Sequence, residues 1–352
     1  MKLFFDARYI RIDRHDGISR YSAELANVIA NLSEVTFLIC DDRQRDFLPD
    51  SSSTIKIHQP TSWREPLTAL WLNQYRPDVV FSPMQTIGTT GRDYKQILTL
   101  HDLIYYRHRT PPHNLAWPIK IGWYLYHLTY WPQRLTLNAA DAIVTVSQTS
   151  KRSIERVRLT KRPIFVAPNA PQPFAPIPVP ETIKNLVYMG SFMEYKNVES
   201  LIRALQWLPG KTLHLLSKIS PTRKAELQRL IPSGRRVVFH NGVSDEEYRE
   251  ILSDQAALVS ASIDEGFGIP VVDALKMGVP VAVSNIEIFH EVAGEGAVFF
   301  NPHQPKQIAE TIKQLDDFKL RHQKIDLGRQ HAAQFDWQQS AKIVLEAAQS
   351  LI

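Results

Sequence analysis

The densest run of chemistry in the 352-residue chain is Ile263-Asp264-Glu265-Gly266-Phe267-Gly268-Ile269-Pro270, continued by Val271-Val272-Asp273 and closed by Gly278-Val279-Pro280. Gly266 and Gly268 allow a tight turn and leave room for a ligand to approach the backbone. Pro270 suits the first turn of a helix and Gly278 its end, so the run reads as strand, glycine turn and short helix. The opening of such a helix presents N–H groups without carbonyl partners and about half a positive charge, which fits a phosphate. Glu265 precedes the turn, and Asp273 is expected in the first turn of the helix. Carboxylates only accept hydrogen bonds, so two of them around an anion site fit a hydroxyl-rich ligand, one for a sugar ring and one for a ribose. The competing reading is a plain strand–turn–helix with both carboxylates in solvent.

Three further groupings carry chemistry. In Gly190-Ser191-Phe192-Met193-Glu194-Tyr195-Lys196-Asn197 the lysine is a compact cation at a helix opening, either a phosphate partner or an exposed lysine. His101-Asp102 follows the strand-like Leu98-Thr99-Leu100; imidazole beside carboxylate makes a general base, or else a histidine that satisfies a loop. In Asp16-Gly17-Ile18-Ser19-Arg20-Tyr21, Gly17 allows close backbone approach before a helix and Arg20 adds charge. His113, His127 and His240 lack such settings and read as ordinary. The single cysteine, Cys40, ends an apolar run and reads as a buried, inert thiol. There is no Asp-x-Asp motif and no His/Cys ligand cluster, so no metal is required.

These residues need a scaffold, and 352 residues suit two domains better than one core. Strand-like runs alternate with helical patterns throughout, the signature of parallel α/β sheets. The first half gives strands at Lys2–Asp6, Val35–Cys40, Val79–Ser82, Gln96–Leu100, Ala142–Val146 and Ile164–Val166. Helices are expected at Ser19–Leu32 and Thr149–Val157. The second half gives strands at Asn185–Met189, Thr212–Leu216, Arg236–His240, Ala256–Ser260, Val279–Ser284 and Ala297–Phe300. Between them, six prolines from Pro168 to Pro180 forbid continuous helix or central strand and mark a linker. The expectation is two Rossmann-like domains facing across a cleft, residues 1–170 and 183–335, with a linker at 171–182. Ligands belong at the carboxyl ends of such strands.

Charge divides unevenly. Residues 1–180 hold 22 Lys and Arg against 15 Asp and Glu, and the acid-free stretch between Asp102 and Asp141 contains Arg107, Arg109, Lys120 and Arg134. Tyr105, Trp117, Trp123, Tyr130 and Trp131 fall in the same region. Aromatic and basic side chains together suit a membrane surface with anionic headgroups, where a lipid-linked acceptor would dock. Aromatics of a core and a solvated basic face are the alternative. No apolar stretch is long enough to span a bilayer and no signal peptide is evident, so a cytoplasmic protein is expected, in peripheral contact with the membrane at most.

With these residues in view, the chain resembles the retaining glycosyltransferases of family 4, whose pattern E-G-F-G-x-P-x-x-E-A-x-x-x-G-x-P-V is matched from Glu265 to Pro280, with Asp273 at the second acid. The resemblance covers the chain and implies the GT-B fold, α/β, with residues 336–352 forming a helix that crosses back to the first domain. It implies a retaining, metal-independent hexosyltransferase without a cofactor, taking a nucleotide diphosphate sugar as co-substrate. A mannose-type donor with GDP is favoured by His101-Asp102-Leu103, and a UDP-sugar fits the same residues. The acceptor so implied is lipid-linked or polysaccharide, in cell-surface glycan assembly. By resemblance Glu265, Lys196 and His101 are catalytic. Gly17, Arg20, Ser191, Val243, Gly266, Phe267, Gly268, Ile269 and Asp273 are donor-binding. The acceptor or membrane surface takes Tyr105, Arg107, Arg109, Trp117 and Trp123. Ser191 departs from the family's Arg, which with the Lys neutralises the diphosphate. An inactive nucleotide-sugar-binding partner and a nucleotide-sugar epimerase are the alternatives. A dinucleotide oxidoreductase is disfavoured by the missing G-x-G-x-x-G after the first strand, and nucleic acid by the lack of a recognition motif.

Overall fold

The structure, a computed structural model, describes residues 1–13, 16–50, 52–111 and 117–352; His113 lies outside them. The chain forms two compact units, one of Met1–Asn169 with Asp336–Ile352 and the other of Ala170–Phe335.

The first unit is built on seven parallel strands in the order β3-β2-β1-β4-β5-β6-β7. Their ranges are β1 Leu3–Asp6, β2 Val35–Ile39, β3 Ser53–Lys56, β4 Val79–Ser82, β5 Lys95–Thr99, β6 Ala142–Thr145 and β7 Ile164–Val166. Its helices are α1 Gly17–Leu32, α2 Thr68–Leu72, α3 Ile104–Arg107, α4 Trp117–His127, α5 Trp131–Ala139 and α6 Gln148–Arg156. The central strands are apolar on both faces, as a sheet covered on both sides requires. β3 was not anticipated: Ser53-Thr54-Ile55-Lys56 is half-exposed and pairs on one side only, so its sequence lacks the apolar signal of a central strand.

The second unit carries six parallel strands in the order β10-β9-β8-β11-β12-β13. These are β8 Asn185–Tyr188, β9 Thr212–Leu215, β10 Arg236–Phe239, β11 Ala256–Ser260, β12 Val281–Ser284 and β13 Ala297–Phe300. The helices are α7 Val198–Ala204, α8 Pro221–Gln228, α9 Asp245–Ser253, α10 Ile269–Met277, α11 Glu287–Ala293, α12 Pro305–Gln314 and α13 Phe318–Ala332. A core of Leu186, Leu201, Leu213, Leu215, Val259 and Ile308 lies between sheet and helices. β12 starts two residues later than the sequence pattern implied. Val279 donates its N–H to Ala274 O at 2.8 Å, closing the end of α10, and Pro280 has no N–H for a ladder.

The final helix, α14 Trp337–Gln349, belongs to the first unit, where it packs on α1. Ser340 Oγ donates to Pro168 O at 2.7 Å, and the Trp337 ring meets Tyr21 edge-on at 5.8 Å. The proline-rich stretch lies along α10 in the second unit: Gln172 N–H reaches Asp273 Oδ1 at 2.8 Å and Ile177 N–H reaches Met277 O at 2.8 Å. Cys40 is half-buried rather than enclosed, and burial pushes its thiol up. Among the described residues no helix is long and apolar enough to cross a membrane.

Candidate functional site

In the second unit the strand order reverses between β8 and β11, the position at which open parallel sheets bind ligands. The loops leaving these two strands are tied together. Ile263 N–H donates to Tyr195 O at 2.8 Å, and Asn197 Nδ2 donates to Ala261 O at 3.1 Å and to Pro302 O at 2.7 Å. Asn197 is in the left-handed region (φ 50°), which asparagine tolerates, and it caps α7 while fixing the neighbouring Lys196.

Across this junction Lys196 Nζ meets Glu265 Oε1 at 2.6 Å, each side chain about one-seventh exposed (14% and 13%). The same oxygen accepts from Ser262 Oγ at 2.9 Å, and Ser262 in turn meets Ser260 Oγ at 3.1 Å. The result is a carboxylate fixed in direction beside an ammonium, both open to solvent on one side. Neither serine was picked out from the sequence; both lie at the end of β11, on the way to Glu265. Tyr188 Oη donates to Ser191 O at 2.6 Å and so holds the exposed Ser191 loop. Burial, with the Glu265 carboxylate second, pushes the Tyr188 phenol well up, so it remains a donor.

Behind Glu265, Gly268 caps α10 with φ 95°, the left-handed backbone that glycine adopts without strain, and Pro270 sits in the first turn. Gly266 is buried, and Gly268 and Ile269 are half-buried at the helix opening. Phe267 turns its ring inward against Phe335 at 5.3 Å and is 4% exposed, leaving its backbone for a ligand. Asp273 is the fifth residue of α10, one turn further in than expected, because the helix begins at Ile269. It is 2% exposed and accepts the Gln172 N–H. Val243, half-buried, follows Gly242 in the loop after β10.

The first unit has its own reversal of strand order, between β1 and β4. A buried network absent from the sequence reading fills it. Arg8 Nε pairs with Asp6 Oδ1 at 2.7 Å and Arg8 Nη1 with Glu65 Oε2 at 2.7 Å; Ser82 Oγ donates to Asp6, and His58 Nε2 meets Glu65 at 3.0 Å. The Asp-x-Arg spacing at the end of β1 was the available signal. The network binds the turn after β1 to the loops after β3 and β4.

His101 lies just past β5 and donates Nε2–H to Pro83 O at 2.9 Å; a carbonyl only accepts, which fixes the tautomer and leaves Nδ1 as an acceptor. Burial lowers the His101 pKa, outweighing the Pro83 carbonyl and the Asp16 charge that raise it. Asp102, next in sequence, accepts from Ile104 N–H at 2.9 Å through Oδ1, at the start of α3. Tyr21 of α1 meets the His101 ring edge-on at 5.2 Å. Asp16 caps α1 by accepting from Ser19 N at 2.9 Å, so Gly17 is the first helical residue rather than part of a preceding loop, with Arg20 in the same turn.

Of the aromatics in this region, Trp117 is the most exposed, at 74%, and Trp131 follows at 64%. Arg107 and Arg109 are exposed, Arg109 donating to Tyr106 O at 3.2 Å. Tyr105 and Trp123 are half-buried and pack edge-on at 5.1 Å. The expected surface is therefore part solvent-facing and part packed.

Two parallel α/β units, each with its strand-order reversal, and a last helix returned to the first unit define the GT-B architecture. The sequence pattern of the family described as Glycosyltransferase Family 4 matches residues 15–170, and that of Glycosyl transferases group 1 matches residues 171–331. The chain belongs to the family 4 glycosyltransferases. It is 25% identical over 330 residues to the O-antigen chain mannosyltransferase RfbU of Salmonella typhimurium, covering 85% of this chain and 87% of that one. Among solved structures, sucrose-phosphate synthase of Thermosynechococcus elongatus superposes with TM-score 0.77 at 17% identity, over 99% of this chain and 98% of that one. Anabaena HepE in complex with UDP-glucose gives TM-score 0.72 at 15% identity, over 99% and 100%.

Proposed function

We propose that this glycosyltransferase moves a hexose of the mannose type from a nucleotide diphosphate donor to a lipid-linked or polysaccharide acceptor of cell-surface glycan assembly. The observation that carries the proposal is the Lys196–Glu265 pair beside the glycine-capped opening of α10. The name of the Salmonella relative supports the sugar and the setting. The UDP-glucose held by the Anabaena protein supports a nucleotide-sugar donor.

In this reading the second unit binds the donor and the first unit the acceptor. Lys196 and the open N–H groups of α10 meet the diphosphate, Gly266 to Ile269 line its approach, and Val243 borders the base. Glu265 faces the sugar, and Asp273 reads the ribose side. Gly17 and Arg20 add a helix opening and a charge from the first unit. His101 accepts a sugar hydroxyl at Nδ1. Transfer keeps the anomeric configuration: the bond from the anomeric carbon to the phosphate oxygen breaks, and the acceptor hydroxyl bonds on the same face. Its proton passes to the departing phosphate oxygen. Held charge and position supply the rate, without a metal ion. Trp117, Arg107 and Arg109, with Tyr105 and Trp123 behind them, rest on the inner face of the membrane.

The test is a thermal-shift series with GDP, UDP, GDP-mannose, UDP-glucose and UDP-N-acetylglucosamine on wild type and Glu265→Ala. One nucleotide series should stabilise selectively, and the increment due to the sugar should vanish in the variant. No shift with any of them would refute the donor site. The anomer formed, read by NMR with and without EDTA, tests retention and metal independence.

A further inference from the structure

The carboxyl ends of β8, β9 and β10 carry a cation that the assignments above do not use. Lys218, just past β9, is exposed and makes no hydrogen bond or ion pair among the described residues. Its place is fixed from two sides. Ser217 Oγ accepts the Gly190 N–H at 3.1 Å, which joins this strand end to the loop bearing Ser191. Gly242 N–H donates to Leu216 O at 2.8 Å and Ile219 N–H to Asn241 Oδ1 at 3.1 Å, which joins it to the loop bearing Val243. The lysine stem lies over Gly242, where a Cβ would stand 3.0 Å from Lys218 Cγ and 3.2 Å from Cε.

The charge at this end of the sheet is incomplete for a diphosphate. Lys196 and Glu265, at 2.6 Å, are neutral as a pair, whereas the diphosphate of a nucleotide sugar brings about two negative charges. Arg223 is committed: its guanidinium donates to Phe192 O and pairs with Glu199 and Glu226. The Lys224 ammonium stands over the Phe239 ring, 5.5 Å from its centroid. Ser191 brings a hydroxyl and no charge.

We propose that Lys218 is a phosphate-binding residue of the donor site, meeting the donor diphosphate from the β9 side between the Ser191 and Val243 loops. The proposal rests on the donor-site reading and adds to it a second cation from the second unit itself, beside Lys196. An ammonium on a flexible stem suits a charge contact whose partner arrives with the ligand.

The test measures binding of guanosine, GMP and GDP, and of uridine, UMP and UDP, to the full chain by calorimetry. The proteins are wild type, Lys196→Ala, Lys218→Ala, Lys218→Arg and the double variant Lys218→Ala with Ser191→Arg. Lys218→Ala should weaken the better-bound diphosphate about tenfold and leave its nucleoside unchanged. Lys218→Arg should retain affinity, and Ser191→Arg should recover part of the loss. Equal weakening of nucleoside and diphosphate, or no weakening while Lys196→Ala abolishes diphosphate binding, would overturn this proposal and leave the donor site standing. If wild type binds no nucleotide, the donor-site reading falls and the proposal with it.

Discussion

Glu265 and Lys196 stand 69 positions apart in sequence and 2.6 Å apart in space, and their chemistry depends on that closeness. Replacing Glu265 by Gln keeps the shape and removes the charge. Sugar transfer should fall about 10²- to 10³-fold in initial-rate assays, the scale of losing one preorganised electrostatic contact. His101 makes a different demand. Its lowered pKa keeps the imidazole neutral below the ordinary value near 6.5, so transfer should persist into mild acid and fall only as pH drops through the lowered pKa. The stability effect has the matching sign. Between the two pKa values the unfolded chain binds the proton and the folded chain does not, so acidification below about 6.5 destabilises the fold. His127, His214 and His240, also lowered chiefly by burial, act in the same direction. Melting temperature should therefore decline from pH 7 to pH 5, and less steeply in His214→Gln. The sequence made the residue types legible at these places. It could not supply their partners: Asp102 turned out to start α3 while a carbonyl from another strand end holds His101, and Ser262 became visible only with Glu265 beside it.

Elements were legible where both faces of a strand are apolar or where a glycine must end a helix. α10 is the example, running Ile269–Met277 between Gly268 and Gly278, both in the left-handed region, with Pro270 in its first turn and the ending glycine where the sequence put it. β3 was not legible, because an edge strand with one partner need not be hydrophobic. Nor was the crossing at Gly296, where a Cβ would stand 2.3 Å from Gly328 Cα on α13, backbone against backbone. Gly296→Ala should cost about 2 kcal/mol or more in urea unfolding, since the nearest atoms belong to the Gly328 backbone, which cannot move aside. Gly268→Ala should be milder, about 1 kcal/mol for the left-handed backbone, yet harm donor binding by shifting the opening of α10.

At the scale of the molecule, the second unit is one continuous stretch, Ala170–Phe335, with a complete six-stranded sheet and its own core. Expressed alone it should melt cooperatively and keep a nucleotide-dependent shift in melting temperature. The alternation of strand and helix made two such units readable. The buried Arg8 network was not, since the Asp6-x-Arg8 spacing hints at a pair but nothing in the sequence brings Glu65 to it.

The first unit is assembled from two pieces of chain separated by the whole of the second. On the ribosome its seven strands emerge before the second unit, but α14, which covers Tyr21 on α1, is made only after it. The nascent first unit must therefore wait with the α1 surface uncovered while some 166 residues are synthesised and fold. Synthesis at about 5–20 residues per second makes that wait roughly ten to thirty seconds, a window in which a chaperone has a defined apolar patch to protect.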